Sequence, residues 1–282
     1  MVKRRPWRGV PWESRGFALI IVLWAFVLIS LIVTHLTASG RTELRIAGNL
    51  AANAAAQAAA DGAIYRAIFN VLDPRQDEHW DLDGGTHEVQ IADSSVTLRL
   101  ENEAARVNPN LASTPLLQAL LDVVTGNREQ AASVATTIAE WVGAKKGSQP
   151  LTGINADYQA AGLNYGPPHE PFESIDELAR VRGMTPDLFV LLRPHLTLFG
   201  PAIPDADGAD PVVALALAQA ARASPGLVPP RTTGGADRVL TARINSTAHG
   251  PGNAVANRVA IARIGPAVPR GYAMLAWESN AE

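Results

Sequence analysis

The sequence predicts an α+β protein with a long N-terminal helix, a small antiparallel sheet and a large helical middle section. Three observations predict this. An apolar segment, residues 17–38, continues into an alanine-rich helical pattern that reaches Leu72. Residues 87–101, and those after 238, alternate between apolar and polar side chains as strands do. Residues 105–229 instead carry repeated helix-start patterns.

Composition and charge exclude several classes of protein. Of 282 residues, 47% are hydrophobic, and the net charge is −3. The first 16 residues hold five basic and one acidic residue, which leaves 19 basic and 26 acidic residues in the remainder. A body this acidic argues against nucleic-acid binding, which needs a basic face. Because the chain has no cysteine, disulfide scaffolds and thiolate zinc sites are excluded.

The apolar segment Phe17–Ala38 predicts a single membrane span. Only His35 in it is ionisable, and 22 residues of helix cover about 33 Å, enough to cross a bilayer core. The basic residues before it should stay in the cytoplasm, which places the body on the other side.

Three processing alternatives are open for this N-terminus. It could be a signal peptide cleaved near residues 38–40, an uncleaved anchor, or a leader that is cut before Phe17. The order Arg15, Gly16, Phe17 at the start of the apolar run favours the third alternative.

The chain continues as helix after the span. Pro74 is the first firm stop, so we expect one helix from about Phe17 to about Leu72, roughly 80 Å long. Apolar residues at helical spacing predict one shared face: Leu44, Ala47, Ala51, Ala54, Ala58, Tyr65 and Ile68.

The strands are predicted in two groups. A loop over 73–86 should precede a hairpin of residues 87–91 and 96–101, with a turn at 93–95. Three further strands are predicted over residues 238–245, 256–264 and 272–277.

The middle section contains capping patterns followed by apolar helical repeats. The predicted starts are Thr114-Pro115, Asn127, Ser174, Thr185-Pro186 and Asp210-Pro211. Gly- and Pro-rich loops are predicted over residues 144–172 and 225–237.

Together, three stretches resemble type II secretion system protein K, a large minor pseudopilin. They are the Gly16-Phe17 junction with its stem, residues 108–141, and residues 171–197, which begin Pro-Phe-Glu-Ser-Ile-Asp-Glu-Leu. The resemblance implies a pseudopilin sheet packed on the stem, with an all-helical domain inserted between its strands. The implied units are a prepilin-type leader (1–16), the membrane helix (17–38), the stem and first strands (39–104), the inserted domain (105–229) and the closing strands (230–282).

The resemblance also implies a role without catalysis. Prepilin peptidase would cut between Gly16 and Phe17, and Phe17 would be N-methylated. The protein would sit in the bacterial inner membrane, with its body in the periplasm. It would cap the pseudopilus tip and contact minor pseudopilins I and J, other pseudopilus subunits and membrane lipid, but not nucleic acid.

Position five of the mature chain departs from the usual pattern. Ordinary pilins and pseudopilins carry a Glu there, which is thought to pair with the N-terminal ammonium of the subunit above. Counted from Phe17, this chain has Ile21, and Glu43 is its first acid after Phe17. A subunit without that Glu is expected to start the filament.

A DNA-uptake receptor is the alternative function. Residues 174–193 predict a helix-hairpin-helix, which often binds DNA backbone, and a membrane anchor would suit such a receptor. Its arginines are outnumbered by nearby acids, so packing is the favoured use. The chain lacks an H-E-x-x-H, G-x-S-x-G or Walker A motif, so we expect no enzyme.

Calcium is the one cofactor that the resemblance implies, because the inserted domain of protein K can bind calcium through acidic loops. Here Lys145 and Lys146 occupy the stretch where that family tends to be Asp-rich. The remaining candidate ligands form two groups: Asn155, Asp157, Glu170 and Glu173, and then Asp205, Asp207 and Asp210. For both groups a solvated acidic loop is the favoured interpretation.

Overall fold

One helix dominates the fold. The structure is a computed structural model that describes residues 13–75, 77–143, 157–224 and 239–279. Helix α1 spans Glu13–Leu72, 60 residues, or about 90 Å. It ends at the residue predicted from Pro74, but it begins four residues before Phe17, so the backbone stays helical through the Gly16–Phe17 junction.

A five-stranded sheet with strand order β1-β2-β3-β4-β5 packs beside the last part of α1, and every neighbouring pair is antiparallel. The strands are β1 Asp83–Ile91, β2 Ser94–Asn102, β3 Leu240–His249, β4 Val255–Ile264 and β5 Tyr272–Glu278.

The first hairpin differs from the prediction at both ends. Strand β1 begins inside the predicted loop, because a register shift after Asp83 lets the strand pair with Glu101. At the other end Ile91 pairs with Ser94, so the turn is residues 92–93 rather than 93–95. Ser94 is buried, which explains how a polar residue joins the strand.

Small side chains let the sheet approach α1 closely. The α1 residues in this core are Ala56, Ala59, Ala60, Ala63, Ile64, Ala67, Ile68 and Val71. They meet the alternate residues Val96, Leu98 and Leu100 of β2, together with alanines and isoleucines of β3 and β4. Of the predicted shared face, Ile68 is buried here, whereas Ala54, Ala58 and Tyr65 are exposed. The sheet therefore packs on a different side of α1 from most of the predicted face.

The helical part builds a second core. Its helices are α2 Thr114–Thr125, α3 Arg128–Trp141, α4 Pro186–Leu192 and α5 Pro211–Ala223, with a 3₁₀ helix at Ile175–Arg180. They lie in sequence between β2 and β3, which pair directly with each other. The assignment of residues 105–229 as an inserted domain stays a prediction.

The caps follow the sequence patterns with two exceptions. The side chains of Asn127, Ser174, Thr185 and Asp210 each accept a backbone hydrogen bond at a helix start. For α2 the cap is Ser113 rather than Thr114, since Thr114 is already helical.

The second exception is the helix after Ser174. It is 3₁₀ rather than α and ends at Arg180. Six residues give too few turns for an α-helix to be favoured in this stretch.

A buried carboxylate connects the two parts of the molecule. Glu103, fully buried after β2, accepts two hydrogen bonds from Arg243 of β3, at 2.6 and 2.7 Å. Glu103 also accepts a hydrogen bond, at 2.6 Å, from the hydroxyl of Thr197, which follows α4 in the chain. Burial lowers the pKa of Arg243, but the hydrogen bonds to Glu103 and the attraction of nearby acidic side chains together outweigh burial, so the pKa is raised overall. The sheet and the helical part are thus joined by one charged network.

Candidate assembly surface

The N-terminal part of α1 presents mostly apolar side chains to its surroundings, with Ser30, Thr34 and His35 as the polar exceptions between Phe17 and His35. The span Phe17–His35 has a mean hydropathy of 2.9, and none of it is buried against the described chain. Ile21 lies within it and is 53% exposed. A lipid bilayer or other apolar helices would cover such a surface. Most of the predicted leader, residues 1–12, lies outside the described residues.

Beyond the span, α1 has an apolar face that points away from its own sheet. We call Ala58, Tyr65, Phe69 and Leu72 the outward face. Their spacings of seven, four and three place them on one side of the helix. Tyr65 is 50% exposed and Phe69 is 63% exposed. Six of the seven residues of the face predicted from the sequence are exposed, and two of them, Ala58 and Tyr65, belong to the outward face. An uncovered apolar surface of this kind suits an apolar helix of another protein.

Aromatic residues of β5 extend the outward face sideways. The ring of Tyr65 lies 6.2 Å from that of Tyr272, edge to face, and 6.0 Å from that of Trp277. Trp277 remains 39% exposed. No local pattern in the sequence marks these two β5 residues as surface residues, because β5 carries apolar residues at both alternating positions and so indicates no exposed side.

The predicted helix-hairpin-helix contains a 3₁₀ helix, a turn with Gly183 at φ 88°, and α4. Arg193 pairs with Asp176 at 3.4 Å, and Arg182 lies 3.8 Å from Asp157. Pairing with carboxylates weakens the attraction of these arginines for phosphate. The geometry therefore favours packing over DNA binding.

The acidic candidates of the first group lie apart. Glu170 and Glu173 are exposed, Asp157 faces Arg182, and Asn155 lies outside the described residues. Among the residues that the structure describes, no three His, Asp or Glu side chains come close enough to hold a metal ion. Calcium binding by this group stays the less favoured alternative to a solvated acidic loop.

The second acidic group has structural roles in the described part of the chain. Asp210 caps α5 through Val212 and Val213, and it accepts a hydrogen bond from His195 at 2.9 Å. Burial raises the pKa of Asp210, but these hydrogen bonds together lower it by a larger amount, so the pKa falls below its usual value. Asp205 and the carbonyl of Asp207 both accept from Asn102. The carboxylates of Asp210 and Asp205 thus have different partners, and Asp207 is contacted through its backbone carbonyl.

Comparison with known proteins gives a family match and a structural match. The family model for protein K of the type II secretion system matches residues 95–201. One chain of the crystal structure of the GspK-GspI-GspJ complex, from the type 2 secretion system of enterotoxigenic Escherichia coli, is similar in fold. The TM-score is 0.56 and the identity 16%, over 86% of this chain and 100% of that one. No curated protein matches the chain.

Proposed function

We propose that the chain is the minor pseudopilin that caps the tip of the periplasmic pseudopilus. The proposal starts from the confirmed resemblance to type II secretion system protein K. The chain would help to start the filament and so support export of folded proteins. The observation that carries this proposal is the pair of uncovered apolar surfaces on α1, the span Phe17–His35 and the outward face. Its expected partners are minor pseudopilins I and J, since the similar structure is a complex of those proteins.

We expect prepilin peptidase to cut between Gly16 and Phe17. Because α1 is one helix from Glu13 to Leu72, this cut leaves the span joined to the stem, whereas a cut near residues 38–40 would separate them. Mass spectrometry of the membrane-bound protein should find Phe17, N-methylated, as the first residue. Finding Met1 or Ser39 there would reject the pseudopilin type of processing.

Replacing Ile21 by Glu should bring no gain in assembly. The usual Glu of this position pairs with a subunit ahead, and a subunit at the tip has none ahead. An unpaired carboxylate in the span would instead cost free energy. Labelled chain, seen by electron microscopy on overproduced pseudopili, should mark one end of each filament for both the parent and the Ile21→Glu variant. Label at regular intervals along the shaft would contradict the tip role.

A further inference from the structure

A cavity of about 710 Å³ lies where α1 ends against the end of the sheet. Its apolar lining comes from α1, the following loop and the ends of β3 and β4, and includes Leu72, Trp80, Leu82, Leu240 and Ile264. The volume falls in the range of about 300–1,000 Å³ that is typical of ligand sites. The cavity is separate from the outward face except at Leu72.

The walls of the cavity are fixed by contacts of their own. The Trp80 ring stacks on His87 with centroids 4.0 Å apart, and its amide donates to the carbonyl of Asn70 at 3.2 Å. On the opposite wall Asn102 donates to the carbonyl of Asp207 at 3.0 Å. Gly208 has φ 80°, and a Cβ there would lie 3.3 Å from that of Asn102, so a glycine permits this close approach. The site is therefore formed before any ligand arrives.

Acidic groups predominate at the cavity. Among the described lining residues there are four aspartates and one histidine, His79, but no lysine or arginine. Asp73 is already paired with Arg75 at 2.6 Å, and hydrogen bonding to Arg75 lowers the pKa of Asp73 to about 2. Three further carboxylates come from two separate segments: Asp81 lies 3.5 Å from the ring of His79, Asp83 accepts a hydrogen bond from the backbone of Gly85, and Asp207 lies on the other segment. The C-terminal end of α1 adds partial negative charge.

We propose that this cavity docks a basic, apolar peptide segment of another protein. An apolar side chain would pack on Leu82 and Leu240, while flanking lysines or arginines meet Asp81 and Asp207. A segment with several cations can meet carboxylates of both chain segments while its apolar side chain uses the apolar lining, whereas a single small cation would leave that lining unused. This docking does not depend on the pseudopilus role proposed above.

The test uses the full chain in a neutral detergent and a peptide that carries fluorescein on its N-terminal amine, fluorescein-Lys-Leu-Pro-Lys-amide, with binding followed by fluorescence polarisation. A second peptide has glutamates in place of both lysines. The protein variants are Asp81→Asn/Asp207→Asn at the cavity and the matched control Glu88→Gln/Asp93→Asn, which removes the same charge from exposed positions on the first hairpin. The cavity variant should weaken binding of the lysine peptide about fivefold, the control by less than twofold, and added salt should weaken binding further.

Three outcomes would overturn the proposal. They are equal binding of the two peptides, equal loss in both double variants, and no saturable binding of the lysine peptide. If replacing residues 225–238 by a Gly-Ser linker strengthened binding, that segment of the chain would be the natural occupant, and the proposal would also fail.

Discussion

Replacing Glu103 by Ala should lower the free energy of unfolding by about 3 kcal/mol, because it breaks a buried ion pair and leaves one partner uncompensated. The side chain of Glu103 has no solvent exposure, and that of Arg243 has 22%. Without the carboxylate, the guanidinium of Arg243 and the hydroxyl of Thr197 lose their shared acceptor. Urea unfolding of the full chain in detergent, followed by circular dichroism, measures the change.

The matched control is Glu101→Ala, two residues earlier. Glu101 also pairs with arginines, Arg99 at 2.8 Å and Arg106, but its side chain is 21% exposed. Its loss should cost about 1 kcal/mol or less, since partly solvated pairs contribute little. A second variant, Glu103→Leu/Arg243→Met, should recover much of the stability, because it removes both charges together. Equal losses for Glu103→Ala and Glu101→Ala would show that burial of the pair is not what stabilises the junction.

The sequence predicted local structure well where one residue type decides the outcome. Pro74 set the end of α1, and Asn127, Ser174, Thr185 and Asp210 marked helix starts that the structure confirms. Each of these effects operates within four residues of chain, so it does not depend on the tertiary contacts.

Long-range pairing could not be predicted in the same way. Glu103 and Arg243 are separated by 140 positions, and nothing local distinguishes Glu103 from an exposed acid. The orientation of α1 was also ambiguous, because alanines occur on both of its faces, so periodicity indicated an apolar face without indicating what covers it. The family resemblance supplied the fold that these local signals could not.

Placing a charge on the outward face should abolish assembly without unfolding the chain. Ala58→Glu puts a carboxylate on a face that we propose to be covered by another subunit's helix. If that contact is apolar, burying an unpaired carboxylate costs several kcal/mol, and each 1.4 kcal/mol lowers affinity tenfold. Co-purification with minor pseudopilins I and J should therefore fall at least a hundredfold, and secretion should stop.

The control is the neighbouring variant Gln57→Glu. Gln57 and Ala58 are both exposed on α1, and both variants introduce the same side chain into the same helix. One residue of helix rotates the side chain by about 100°, so Glu at 57 points to the flank rather than along the outward face. Both variants should unfold at the parent's urea midpoint within error, since neither position is buried in the isolated chain. Only Ala58→Glu should lose its partners. A complex that survives Ala58→Glu, or that is lost equally in both variants, would show that assembly uses another surface of the molecule.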